Sequence, residues 1–192
     1  MKKNYFAIVF VLFLLVYSHK SQAQEAQLGV SGGITFPFID FAESVSSGFG
    51  GSVIFKYFVN KNIALGGNLG YYVFPGREIN FGLGFGGLQV SPDVKIVPIN
   101  ATAEIFFGRS DLRPRIGVDF GAYIVSSSDG TNSQNKAYFG FAPVIGSGVI
   151  VSKNVEIFAN TKFHVILTND NNDIPTTSYL SVNAGLMFNI GN

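Results

Sequence analysis

The sequence predicts an all-β fold, an eight-stranded up-and-down antiparallel β-barrel that crosses a membrane. Three observations predict it. Apolar side chains alternate with small or polar ones along eight long segments, the two-residue period of a strand. Charge is scarce, at 13% of the residues against about 25% in globular chains, while Gly (23) and Phe (20) are abundant. The connections alternate between short turns and long polar loops, as in barrels that span a bilayer.

Residues 1–23 read as a secretory signal peptide. Lys2 and Lys3 form a basic end, Tyr5 to Tyr17 is an apolar run, and Ser21-Gln22-Ala23 offers a small-residue cleavage site. That run is shorter than the ~18 residues a bilayer-crossing helix requires. Residues 24–192 are then one mature domain. Loss of Lys2, Lys3 and Lys20 leaves ten Lys and Arg against twelve Asp and Glu, no footprint for nucleic acid. With no Cys, the exported chain has neither a disulfide framework nor a lipid-bearing cysteine.

The first segment, about 27 to 36, sets Leu28, Val30, Ile34 and Phe36 against Gln27, Gly29, Ser31, Gly33 and Thr35. In the second, about 49 to 59, Phe49, Val53, Phe55, Tyr57 and Val59 oppose Gly50, Ser52 and Lys56. The third, about 63 to 73, sets Ile63, Leu65, Leu69, Tyr71 and Val73 against Ala64, Gly66, Asn68, Gly70 and Tyr72. The fourth, about 94 to 107, carries Val97, Ile99, Ala101, Ala103, Ile105 and Phe107 opposite Asn100, Thr102 and Glu104. In the fifth, about 115 to 125, Ile116, Val118, Phe120, Ala122 and Ile124 face away from Arg115, Gly117, Asp119, Gly121 and Tyr123. The sixth, about 138 to 151, contains Pro143, which predicts a bulge or irregular pairing. The seventh, about 155 to 167, sets Val155, Ile157, Ala159, Phe163, Val165 and Leu167 against Glu156, Asn160, Lys162 and His164. The eighth runs from about 179 to 190.

Short turns are expected at 60–62, 108–114 and 152–154, and long loops at 37–48, 74–93, 126–137 and 168–178. Both termini fall on the short-turn side, so the strand count is even. Residues 79–87, INFGLGFGG, alternate well enough for a further strand. Parity makes them a hairpin extension or loop fold, with a ten-stranded barrel as the alternative.

The orientation follows from the second face of each segment, which holds too few charges for a solvated surface. A soluble barrel buries its apolar stripe; in a membrane Phe, Leu, Ile and Val face lipid, and small and polar residues fill the lumen. Closure is obligatory, because an open sheet edge in hydrocarbon leaves backbone groups unpaired. The inward ionised set is Lys56, Glu104, Arg115, Asp119, Glu156 and Lys162. Three of each sign can neutralise one another as a polar plug; the alternative is an ion path. Phe36, Phe49, Tyr57, Tyr71, Phe74, Phe107, Tyr123, Phe139 and Phe188 are placed for interfacial girdles. The long loops are acidic, with Asp40, Glu43, Glu78, Asp93, Asp129, Asp170 and Asp173 against Arg77, Lys95 and Lys136; Lys61, Arg109, Arg113 and Lys153 lie in the short turns against Asp111.

The chain ends on NAGLMFNIGN, with Asn183, Gly185, Phe188 and Ile190 spaced along an alternating strand. This stretch resembles the C-terminal signal by which outer-membrane assembly machinery recognises its substrates. With PRIGVDFGAY (114 to 123) and FGFAPVIGSGV (139 to 149), the mature chain resembles the small outer-membrane β-barrel family, of the OmpA/OmpX or OprF-barrel type. It departs from many members in ending past Ile190 instead of on a terminal Phe, and in lacking a following peptidoglycan-binding domain. The resemblance implies the outer membrane of a Gram-negative bacterium, contact with its lipid, and the assembly machinery as a partner during insertion.

Other chemistry is thin. GLGFGG, residues 82 to 87, fits G-x-G-x-x-G but runs into Pro92 and Pro98 without a helix to receive a phosphate. Asn100-Ala101-Thr102 matches a glycosylation acceptor in mid-strand. His164 is the sole mature histidine; it faces inward with no serine adjacent in sequence, and no metal or cofactor site is expected. The expected role is structural or surface-interacting, with a ligand or surface partner at the long loops. A narrow ion or small-solute channel, a lipid-modifying enzyme, and, at the level of fold, a soluble exported barrel are the rivals.

Overall fold

The computed structural model describes residues 26–38, 41–80, 88–90, 93–107, 111–128, 133–167 and 177–190. The leader and its cleavage site lie outside the described residues. Eight strands form one closed barrel: β1 (Ala26–Phe38), β2 (Gly48–Asn60), β3 (Ile63–Phe74), β6 (Asp93–Phe106), β7 (Leu112–Ser128), β8 (Ser133–Ser152), β9 (Val155–Leu167) and β10 (Thr177–Asn189). Each pairs antiparallel with the next, and β10 returns to β1 in unbroken register from Gln27↔Asn189 to Phe38↔Ser178. The strands run 12 to 20 residues, longer than the usual 5–6 of soluble sheets.

The ten-stranded alternative is overturned. β4 (Glu78–Asn80) and β5 (Leu88–Val90) pair with each other in a separate two-stranded sheet, and β3 pairs directly with β6. Residues 81–87 lie outside the described residues.

Two expectations about connections change. The loop placed at 126–137 is largely paired strand, because the β7–β8 ladder continues to Ser128↔Ser133. Ser, Gln and Asn look like loop in sequence, yet a ladder uses backbone groups and so accepts polar residues. At the opposite end, β7 begins at Leu112, which takes Arg113 and Pro114 out of the turn and into the sheet. Of the bulge or irregular pairing expected at Pro143, the structure shows the second: the β8–β9 ladder skips Ala142 and Pro143 but keeps one register from Phe141↔Val165 to Val144↔Lys162, and the register shifts fall beside short turns, at Ile150/Ser152 and Phe58/Asn60. Pro143 lies on the exposed face, where its fixed φ suits a strand.

The faces sort as the alternation requires. Leu69, Phe49 and Ile145 are 52%, 64% and 64% exposed, whereas Asn68 and Asp119 are 5% and 1% exposed. The girdle needs two corrections. Phe36, Phe49, Tyr71, Phe107, Phe139 and Phe188 are exposed on the outer face and Tyr57 is half-buried, but Phe74 and Tyr123 are fully buried inside the barrel. The two-residue period explains both: Phe74 is in phase with Tyr72, and Tyr123 with Arg115 and Asp119.

A cap closes the long-loop end. The one-turn helix α1 (Phe41–Ser44) and Val45 place Phe41 and Val45 in the same buried cluster as Tyr72, Phe74 and Tyr179. The rings of Phe41 and Phe74 lie 5.0 Å apart, and those of Phe74 and Tyr179 5.2 Å apart. The Ser46 N–H donates to Pro75 O at 2.8 Å and the Arg77 N–H to Ser44 O at 3.3 Å, so the first two loops hold each other over the mouth.

Candidate functional site

The inward side chains form three layers, described from the short-turn end. In the first, Lys56 on β2 donates from Nζ to Glu104 Oε2 on β6 at 2.6 Å, and Arg115 on β7 donates from Nη1 to Glu156 Oε1 on β9 at 2.9 Å. Arg115 Nε lies 3.7 Å from Glu104 Oε2 and joins the two pairs. Arg113 adds a fifth charge, with Nη1 3.6 Å from Glu156 Oε2. Phe58, Phe106 and Phe158 supply ring faces: the Arg113 guanidinium lies 4.9 Å from Phe58 and 4.7 Å from Phe106, and that of Arg115 4.7 Å from Phe158.

Each pair reaches across an intervening strand, β3 or β8; on β8 glycine permits it, since a Cβ on Gly148 would come 2.6 Å from Glu156 Cδ, and on β7 Gly117 leaves the same room for Glu104. A Cβ on Gly117 would come 2.5 Å from Ala103 O and 2.7 Å from Glu104 Cγ, closer than real side chains approach. Gly117→Ala is therefore expected to destabilise the barrel by about 1–3 kcal/mol through overpacking, read as a lower midpoint in urea unfolding from phospholipid vesicles; an unchanged midpoint contradicts this geometry.

In the second layer, Lys162 Nζ on β9 donates to Asp119 Oδ2 on β7 at 2.7 Å, and Asn68 Nδ2 donates to the same oxygen at 3.1 Å. The six residues singled out in the sequence thus meet as two separate groups. They are no longer a balanced set once Arg113, placed by the sequence in a turn, is included: three cations face two carboxylates in the first layer, and one pair cancels in the second. Arg113 stands two residues from Arg115, the spacing of one strand face, and that signal was present in the sequence.

The third layer centres on His164. Its Nδ1 lies 3.1 Å from Tyr123 OH and its Nε2 3.1 Å from Ser181 Oγ. Asn100 Nδ2 donates to Tyr123 OH at 3.2 Å, and Asn183 Nδ2 donates to Ser181 Oγ at 3.0 Å and to Asn160 Oδ1 at 3.2 Å. The imidazole stacks on Tyr179, centroids 4.2 Å apart and planes 10° apart. The serine that sequence reading did not find near His164 comes from β10, where Tyr179 pairs with His164 and Ser181 is two residues on. A hydrolytic Ser–His pair needs its hydroxyl open to a carbonyl. Here both residues are 0% exposed and face the lumen under Tyr179 and the cap, and Nδ1 meets a phenol where a triad places a carboxylate.

Of the terminal-strand residues, Asn183 is buried inside, Gly185 is half-buried on the same face, and Phe188 and Ile190 are exposed on the outer face. Gly185 also has a packing reason to be glycine, since a Cβ there would come 2.9 Å from Phe158 Cζ. Among the described residues no group of three His, Cys, Asp or Glu is placed to hold a metal ion.

A closed barrel, apolar outside and filled with ion pairs and hydrogen-bonded polar groups, is a small membrane-spanning β-barrel. The chain belongs to the outer membrane protein beta-barrel domain family, whose model matches residues 8–188. It is similar in structure to Neisserial surface protein A (17% identity, TM-score 0.67, covering 88% of this chain and 99% of that one). It is also similar to Ail, the attachment invasion locus protein of Yersinia pestis (11%, 0.58, 88% and 100%), and to the N-terminal barrel domain of Pseudomonas aeruginosa OprF (16%, 0.50, 88% and 100%). A comparison with curated protein sequences gives no match. The protein is thus located in the bacterial outer membrane, and its long-loop end is the extracellular one.

Proposed function

We propose that the protein is a sealed scaffold whose extracellular loops make the functional contacts, with the lumen serving stability instead of transport. The observation that carries this reading is the filling of the lumen at successive levels: Phe58, Phe106 and Arg113 near the turns, two ion-pair groups and the His164 layer above them, and Phe41 and Val45 at the mouth. An eight-stranded barrel is only wide enough for its side chains, and these are large ones. A channel needs binding weak enough for ions to leave, and every lumen carboxylate here is already engaged by at least one cation of the chain.

Planar-bilayer recording tests it. The purified barrel is expected to give no steady ohmic steps above background, and reproducible steps would establish the channel reading in its place. For the loops, attachment in the name of Ail motivates another cell's surface as the partner to assay. Bacteria displaying the intact barrel should adhere to cultured cells more than bacteria displaying the same barrel with residues 41–47 replaced by Gly and Ser. For assembly, the terminal strand serves as the recognition signal, with Asn183 and Gly185 on one face and Phe188 and Ile190 on the other.

A further inference from the structure

A cleft of about 450 Å³ opens at the extracellular rim, lined by Phe36 and Pro37 at the end of β1, by Val45, Ser46 and Ser47 after α1, and by Arg77. Its walls are fixed by hydrogen bonds: Val45 bridges Gly76, the Ser46 N–H donates to Pro75 O, and the Gly76 N–H donates to the side-chain carboxylate of Asp93 (Oδ1) at 3.0 Å. Arg77 is exposed, and its Nη1 donates to Ala42 O at 2.9 Å, which uses one of the five N–H donors of a guanidinium. No acidic side chain lines the cleft among the described residues; Glu43 is exposed beside it.

Position determines the kind of occupant. Phe36 belongs to the lipid-facing side of β1, paired with Leu180, and Phe38 packs edge-on against outward Phe163 at 5.7 Å. The cleft therefore joins a cation and two hydroxyls to an apolar wall continuous with the bilayer-facing surface. That combination fits an amphiphile with one anionic head. An extended polyanion fits poorly, because seven acidic residues in the loops outnumber Arg77, Lys95 and Lys136. We propose that the cleft holds the phosphate headgroup of an anionic outer-leaflet lipid, with Arg77 on the phosphate, Ser46 and Ser47 hydrogen-bonding its oxygens, and the start of an acyl chain along Phe36 and Pro37. The proposal rests on the placement in the outer membrane and is independent of the role assigned to the loops.

The full chain, refolded in phosphatidylcholine nanodiscs, is titrated with dihexanoyl phosphatidic acid while the backbone amides of Ser46, Ser47 and Arg77 are followed by NMR. Saturable shifts at these amides are expected, with Arg77→Gln weakening binding about tenfold or more, the worth of one charge-assisted bond. Arg77→Lys keeps the charge and a donor for Ala42, so it should bind better than Arg77→Gln; equal loss would mean that the cap has collapsed, and overturns the proposal. Glu43→Gln should bind at least as well as the parent. Inorganic phosphate binding as tightly as the lipid would make this a soluble-anion site, and dihexanoyl phosphatidylcholine, whose phosphate charge is offset by choline, giving the same shifts would remove the role of the net negative charge; either result refutes the assignment.

Discussion

Replacing Glu104 by alanine should destabilise the folded barrel by about 3–5 kcal/mol, the cost of leaving a buried charge without its partner. Lys56 is 1% exposed and its ammonium meets Glu104 at 2.6 Å; Arg115, fully buried, also loses the carboxylate 3.7 Å from its Nε. Neither cation has room to reach bulk water, because Phe106 and Phe158 cover Lys56 and Arg115 from the ring side. The companion variant Lys56→Met with Glu104→Leu should recover most of the loss, since a buried pair exchanged for apolar side chains of similar volume is often neutral. Urea unfolding from phospholipid vesicles measures both. A Glu104→Ala barrel within about 1 kcal/mol of the parent would show that water solvates the network, since an accessible pair contributes no more than this.

Phe120→Arg should cost about 2–4 kcal/mol, the penalty for a cation on the lipid face at mid-bilayer depth. Phe120 lies midway along β7, 46% exposed, between Ala101 and Phe141 in the ladder. Phe139→Arg, on the same outer surface but two residues along the ladder toward the extracellular rim, should cost less than Phe120→Arg. The contrast with depth is the discriminating measurement in the same unfolding assay. Equal penalties at both positions would contradict a bilayer around this belt, and no penalty at Phe120 would place that face in water.

The eight strands and their outward faces were legible because a two-residue period is a local property, written within each segment. Lys56, Glu104, Arg115, Asp119, Glu156 and Lys162 were legible as inward charges for the same reason. Their partnerships were not: Lys56 and Glu104 stand 48 residues apart and Asp119 and Lys162 stand 43 apart, and only inter-strand register decides which charges meet. Phe74 and Tyr123 were misplaced although their phase was readable, because an aromatic residue near a strand end serves a girdle or a lumen equally well by composition. The His164–Ser181 contact and the seating of Phe41 over Tyr179 required the closed barrel itself. The polar extension of β7 and β8 was hidden by a sequence that also suits a loop.

The closing ladder between β1 and β10 has a consequence for how the molecule comes into being. Ala26 O accepts from the Ile190 N–H at 2.8 Å, and the Gln27 amide reaches Asn189 at 2.8 Å, so the first and last strands of the barrel are nearest neighbours. Bringing them together has an entropic cost that grows with the length of the intervening polymer. Until the last strand is in place, every intermediate carries two raw edges that hydrocarbon does not tolerate. Closure therefore waits on the strand farthest along the chain from β1, and the partly built sheet must be kept from aggregating until β10 is delivered to it.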